Sequence, residues 1–280
     1  MSDGVPKRPA RALIGWLTPA EAGRLQAGLR LSEAAKPEYE ERAQRARTVA
    51  GARRPDFDVR GVVTEAPEAV RARWAEIEET PVGRRLAELG LRPVLVDLRR
   101  VVAVQPHVFT DITIPDFDPD DLEAIAEVTL QPNTDKPIET QFDPRRNLWI
   151  LHPPSPDFRI AKAYQADVED SDGIAFGLEF RFHGSFVKVF RYGDRYLISD
   201  GTHRAVALLT RGIDVVPALV GEYTSPDEVH VPGGLPREAI FGRRPPLLPD
   251  YLDDAVSTAV ELPATRRVIL IEGLEVWLQD

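Results

Sequence analysis

The segment that most constrains the fold is Arg195–Val220, in which a strand, a sharp turn, a helix and a second strand follow one another directly. Asp200-Gly201 interrupts an apolar, strand-like run. The AVALLTRG stretch that follows is typical of a helix and ends at Gly212, after which the β-branched run at 215–220 indicates a strand. This succession predicts an α/β fold, in which helices cover a mixed sheet.

The same turn carries most of the recognisable chemistry of the chain. The first turn of a helix has unpaired N–H groups and a positive dipole end, and both attract phosphate oxygens. Gly201 lets a ligand approach the backbone, Thr202 supplies a hydroxyl, His203 an imidazole and Arg204 a two-pronged phosphate ligand. Asp200 is a candidate metal ligand or proton acceptor. The alternative is that Asp200 only caps the helix and Arg204 only pairs with a surface carboxylate.

Three regions are predicted along the chain: a helical region at 1–90, a core at 91–222 with an insertion near 139–185, and a strand-rich, proline-broken extension at 223–280. Helix signals in the first region predict helices over 19–30, 37–49, 68–79 and 81–89. In the core, strands are predicted at 93–98, 101–104 and on both sides of a hairpin turn at 192–194, with a helix starting at 118–121. Two strands are predicted in the last region, at 256–262 and 267–278.

Composition excludes several classes of function. The chain has no cysteine, so disulfides, thiolate nucleophiles, iron–sulfur clusters and cysteine-ligated zinc are excluded. The net charge is −10, and residues 107–172 hold fifteen acidic against five basic side chains. Because phosphate neutralisation dominates DNA affinity, we expect no tight binding to duplex DNA. No apolar run has the length of a membrane span, and we expect a cytoplasmic protein without membrane contact.

The segment 195–220 resembles the ParB/sulfiredoxin-like superfamily, whose members carry Gly-X-X-Arg or Asp-Gly-X-His-Arg on this turn. Two further segments resemble the superfamily in the same order: Val96-Asp97-Leu98 with Val104-Gln105-Pro106-His107, and LEAIAE at 122–127 with Pro137-Ile138. The resemblance covers about half of the chain. It implies a ParB/sulfiredoxin-like core with a helical N-terminal extension and a strand-rich C-terminal tail.

The resemblance also implies a function. The core would bind a nucleotide such as ATP or CTP, or a phosphorylated small molecule, at Gly201–Arg204, with Gln105 touching the ligand. Asp200 and His203 would be catalytic, and Asp200 would hold Mg²⁺.

Three departures from the family pattern limit the activities that the resemblance implies. Thr202 stands where sulfiredoxin has its reactive cysteine, so sulfinic-acid reduction is not expected. Gln105 stands near the position where the free-serine kinases of the superfamily use an acidic residue. No helix-turn-helix follows the core, unlike in the partition proteins. Two functions stay open: a nucleotide-binding NTPase or phosphotransferase, and a non-catalytic interaction protein with a vestigial pocket that meets a protein partner through 1–90.

Overall fold

The computed structural model describes residues 6–29, 36–53, 59–132, 138–152, 158–167, 174–182, 184–229, 233–264 and 268–273. The chain divides into two compact units. The first consists of Met1–Gln131 and Phe186–Ala264, and the second of Pro132–Ser185 and Thr265–Asp280. The predicted residues of the turn at 200–204 belong to the first unit.

The described residues combine helices and strands, which confirms the mixed α/β class. The helices are α1 (Pro19–Leu29), α2 (Lys36–Ala52), α3 (Glu68–Glu78), α4 (Pro81–Glu88), α5 (Leu122–Thr129), α6 (Thr202–Thr210) and α7 (Arg237–Phe241). The strands of the first unit are β1 (Lys7–Ala12), β2 (Val63–Glu65), β3 (Arg92–Asp97), β4 (Val101–Val102), β5 (His107–Phe109) and β6 (Leu130–Gln131), followed after the second unit by β12 (Lys188–Tyr192), β13 (Arg195–Asp200), β14 (Val215–Glu222) and β15 (Thr258–Pro263). The remaining strands are β7 (Glu139–Asp143), β8 (Leu148–His152), β9 (Phe158–Asp167), β10 (Ile174–Phe182), β11 (Ser185–Phe186) and β16 (Ile269–Glu272).

The four helices predicted before residue 90 are confirmed. They could be predicted because capping residues and prolines act on the neighbouring residues of the chain. At the start of α1, the Thr18 backbone N–H donates to Glu21 Oε2 at 2.8 Å, and the Glu21 N–H donates to Thr18 Oγ1 at 3.2 Å. This reciprocal pair is the predicted capping box. The end predicted for this helix, Arg30, lies outside the described residues.

The description of 1–90 as helical is corrected by β1 and β2. Strand β1, with the sequence KRPARA, pairs antiparallel with both β15 and β5. The segment has no β-branched residue, so the usual strand signal is missing. Its two-residue period is visible only in the burial of Ala10 and Ala12 on either side of the half-buried Arg11.

Other boundaries move by a few residues. Helix α5 starts at Leu122, and the Asp121 side chain accepts the N–H groups of Glu123 and Ala124, so the N-cap, Asp121, lies within the predicted start at 118–121. Strand β4 ends at Val102, two residues earlier than predicted, and β15 starts two residues later, at Thr258. The end of the predicted last strand, 274–278, and Pro137 both lie outside the described residues.

A six-stranded sheet positions the predicted site. Its strand order is β2-β3-β14-β12-β13-β4, so β13 and β14, the two strands joined by α6, lie in one sheet. Strands β13 and β4 run parallel, with Tyr196 opposite Val101 and Leu197 opposite Val102. The carboxyl ends of these two strands therefore meet at one edge of the sheet, which places Gln105 and the turn after Asp200 at the same edge.

The core of the first unit holds this edge in place. Helix α6 buries Ala205, Leu208 and Leu209 against the main apolar cluster, which also contains the interior of β14. Tyr251 is fully buried, and its hydroxyl donates to the Gln105 carbonyl at 2.6 Å. The segment that follows β4 is thereby fixed from the core side.

The second unit contains a three-stranded sheet, in the order β16-β8-β7, and the β9–β10 hairpin. The segment predicted as an insertion, 139–185, supplies β7 to β10 and the first residue of β11. In the part of the chain that the structure describes, no helix is long and apolar enough to cross a membrane.

Candidate functional site

Gly201 forms the junction between β13 and α6. It is the N-cap of α6 and has a φ of +79°, which is in the left-handed region that favours glycine. A Cβ at this position would lie 2.9 Å from the Cα of Val187 and 3.0 Å from the carbonyl oxygen of Phe186. Among the described residues no side chain caps α6, so no side-chain cap from this part of the chain uses the N–H groups of its first turn.

Asp200 precedes the N-cap, and its carboxylate joins two groups. The Nζ of Lys188 lies 3.1 Å from Asp200 Oδ2, and the Gly201 backbone N–H donates to Asp200 Oδ1 at 2.7 Å. The exposed fractions of the two charged side chains are 19% for Lys188 and 33% for Asp200. The alternative that Asp200 caps the helix is wrong, because Gly201 is the N-cap and has no side chain to act as one.

Lys188 is a site residue that the sequence analysis missed. A regular hairpin, continued from the Tyr192–Arg195 pair, would put residue 199 opposite Lys188. The register shifts between Lys188 and Val189, and this irregularity brings Asp200 opposite Lys188 instead. The hairpin could be predicted from the sequence and places Lys188 near the turn. The register shift that pairs Lys188 with Asp200 depends on tertiary structure and could not be predicted.

Arg204 ties the start of α6 to the end of α5. Its Nη1 donates to the carbonyl oxygen of Val128 at 2.7 Å, which satisfies one of the last carbonyls of α5. This contact is with main chain, and the alternative pairing of Arg204 with a surface carboxylate stays a prediction. The phosphate contact of Arg204 stays a prediction, and so does that of buried Thr202.

His203 packs against β5. Its ring stacks on Phe109, with 5.5 Å between the centroids and 21° between the planes, and His107 meets the same phenyl ring edge-on at 5.6 Å. The guanidinium of Arg8 lies 4.1 Å from the centroid of Phe109. Phe109 is therefore the centre of an aromatic and basic cluster beside the first turn of α6.

The environment of His203 keeps its imidazole neutral. Burial, and after it the proximity of His107, Arg8 and Arg204, lower the pKa of His203 to about 4, against the opposing effect of the Asp111 carboxylate. Arg8 and Asp111 are themselves paired, with Nη2–Oδ1 at 2.6 Å and Nε–Oδ2 at 2.8 Å. His203 is thus a neutral hydrogen-bonding group at pH 7 and a weak base.

The neutral state of His203 predicts a pH dependence of stability. Between pH 6.5 and pH 4 the unfolded chain binds a proton at His203 that the folded chain does not, so the free energy of unfolding falls as the pH falls. We expect this residue to remove about 2 kcal/mol between pH 7 and pH 5. Urea unfolding of the wild type and His203→Gln at both pH values measures it. Equal pH dependence in the two proteins would show that the imidazole is not held neutral.

The side chain of Gln105, at the same edge of the sheet, has a buried acceptor atom. Its Oε1 atom is buried and has no hydrogen-bond partner among the described residues. A buried acceptor without a donor costs about 1–3 kcal/mol, so this atom calls for a donor from outside the described chain. The prediction that Gln105 touches a ligand is compatible with this arrangement and stays a prediction.

The predicted magnesium site at Asp200 stays a prediction. The carboxylate is paired with the ammonium of Lys188, which repels a cation. Within the described ranges, no group of three or more histidine, aspartate and glutamate side chains could hold a metal ion. We therefore assign no step to Mg²⁺.

The chain matches no family model, no curated protein and no solved structure. The function is therefore inferred from the residues around the turn 200–204. These residues provide an uncapped helix start, a lysine beside it, a neutral histidine on an aromatic ring and a buried acceptor without a partner.

Proposed function

We propose that the chain binds a phosphate-containing small molecule at the turn 200–204, with ATP and CTP as the first candidates. The observation that carries this proposal is the uncapped start of α6 with the ammonium of Lys188 beside it. Backbone N–H groups at a helix start and a lysine are the two partners that protein phosphate sites most often combine. The resemblance of Asp-Gly-X-His-Arg to the ParB/sulfiredoxin-like superfamily supports the same ligand class.

Each residue of the edge has a role in this proposal. Lys188 and the first-turn N–H groups of α6 bind phosphate oxygens, and Arg204 adds charge next to them. Gln105 Oε1 accepts a hydrogen bond from a donor on the ligand, such as a ribose hydroxyl or a base amino group. If the protein turns the nucleotide over, as an NTPase or a phosphotransferase, proton transfer falls to Asp200 and His203, and His203 is a weak base because burial lowers its pKa to about 4.

We expect ATP or CTP to bind in the absence of divalent metal. Isothermal calorimetry in EDTA measures this directly, and a thermal shift provides an independent readout. A ligand at 100 times its dissociation constant adds about 2.7 kcal/mol to the free energy of unfolding, which raises the melting temperature by several degrees. A phosphate-release assay with and without Mg²⁺ then decides whether turnover occurs. The absence of any heat or shift with ATP, CTP and inorganic phosphate contradicts the proposal.

A second candidate function is a non-catalytic interaction protein with a vestigial pocket. The observation that favours it is that the charged groups of the turn already have partners within the chain: Asp200 has Lys188, and Arg204 has the Val128 carbonyl. In this case the partner surface is expected in 1–90, where Leu89 is an exposed apolar side chain at the end of α4. The nucleotide-binding experiment separates the two candidates.

A further inference from the structure

The carboxylate of Asp200 has the partners that a bound phosphate is expected to have. Its Oδ2 lies 3.1 Å from an ammonium, and its Oδ1 accepts a backbone N–H at the start of a helix at 2.7 Å. Ammonium and helix-start N–H groups are also the typical partners of phosphate oxygens. The chain therefore places one of its own anions where the proposed ligand would bind.

The ion pair between Lys188 and Asp200 is partly buried, so losing it without a replacement anion would be unfavourable. The Lys188 and Asp200 side chains expose only 19% and 33% of their surface. A partly buried ammonium left without an anion is unfavourable, so Lys188 is expected to hold either Asp200 or another anion. The lysine has a flexible stem and three donors, which allows it to change partner without a change in the backbone.

We propose that the Asp200 carboxylate is an internal competitor of the ligand, and that a phosphate binds by displacing it from Lys188 and from the Gly201 N–H. This inference rests on the proposed function and adds to it a ligand class, a phosphate group with two negative charges. The displaced carboxylate stays close and repels the incoming anion. A singly charged phosphodiester replaces the carboxylate by a group of the same charge, so it gains no attraction to Lys188. A phosphate monoester or a terminal phosphate carries two negative charges and is attracted more strongly than the carboxylate.

The test is the nucleotide affinity of Asp200→Asn, measured by calorimetry at pH 7.5 in EDTA. The probes are ATP and AMP, whose terminal phosphates are dianionic, and cyclic AMP, whose phosphodiester carries one charge. Asparagine keeps the shape and an oxygen acceptor but loses the negative charge. We expect ATP and AMP to bind Asp200→Asn about tenfold more tightly than the wild type, and cyclic AMP to bind the wild type more weakly than AMP.

Three further variants make the result specific. Lys188→Met is expected to weaken ATP binding at least about tenfold, and Asp200→Asn is expected to improve ATP binding less in the Lys188→Met background than in the wild type, because the lysine is a shared partner. Asp194→Asn removes the same charge from the same hairpin, where Asp194 pairs with Arg195 at 3.1 Å, and is expected to leave the affinity unchanged. A structural salt bridge would not produce tighter binding in one single variant and weaker binding in the other.

The outcomes separate this inference from the function on which it rests. If the wild type binds ATP and Asp200→Asn binds it equally or more weakly, the competitor role of Asp200 is overturned. If neither protein binds any nucleotide, the proposed function fails and the inference fails with it. Binding by Asp200→Asn alone supports the inference. If the asparagine variant melts well below the wild type, Asp200→Ser removes the same charge and provides the same comparison.

Discussion

Replacement of Gly201 by alanine is expected to lower the free energy of unfolding by about 2–4 kcal/mol. One part of this loss is the φ of +79°, which an L-residue with a side chain adopts unfavourably. The other part is contact, because the new Cβ would lie 2.9 Å from the Val187 Cα. Val187 cannot move away easily, since its N–H donates to the Thr129 carbonyl at 2.7 Å and its carbonyl accepts the Leu219 N–H at 2.9 Å.

Gly212→Ala is the matched control for this prediction. Gly212 ends the same helix with a φ of +78°, and nothing lies within 4 Å of the position of its Cβ. Its replacement tests backbone conformation alone, and we expect a loss of about 1–2 kcal/mol. Urea unfolding of the three proteins measures both changes. If the two variants lose the same stability, the close approach of Gly201 to Val187 does not contribute.

Replacement of Arg204 by alanine is expected to weaken ATP or CTP binding by about 30- to 1000-fold, equivalent to 2–4 kcal/mol. The reason is that a bound phosphate loses a cation beside the helix start and is left less compensated. The variant also loses the hydrogen bond to the Val128 carbonyl, at 2.7 Å, so a fall in stability is expected as well. Calorimetric affinity and urea unfolding, measured on the same preparation, keep the two effects apart.

Arg211→Ala controls for the structural part of this effect. Arg211 lies just after α6, and its guanidinium donates to the carbonyls of Pro115 and Ile114 at 2.7 and 2.6 Å. It therefore makes the same kind of side-chain to main-chain contact at the opposite end of the helix. We expect lower stability with unchanged nucleotide affinity. A similar affinity loss in both variants would show that Arg204 acts only through the fold.

The sequence was sufficient for those features that depend on neighbouring residues. The strand–glycine–helix order at 195–212 predicted that Gly201 would start α6 and that Gly212 would end it, and both have a positive φ. Helix α1 followed from the capping box at Thr18. These signals work because backbone sterics and capping act within a few residues.

The features that could not be predicted depend on distant contacts. Lys188 meets Asp200 only because the hairpin register shifts beside it. The neutral state of His203 comes from burial against Phe109, which belongs to a strand of another sheet. A sequence pattern identifies the residue types at the turn, but it gives neither their partners nor their charge states.

The pairing of β1 with β15 has a consequence for synthesis on the ribosome. Lys7 lies opposite Pro263 and Ala12 opposite Thr258, so β1 acquires this neighbour only after the whole chain between the two strands has been translated. Such non-local pairing slows folding and leaves a strand edge open to other nascent chains in the meantime. The basic residues and the proline of KRPARA are of the kind that discourages edge-to-edge association, and they accompany the strand throughout this interval.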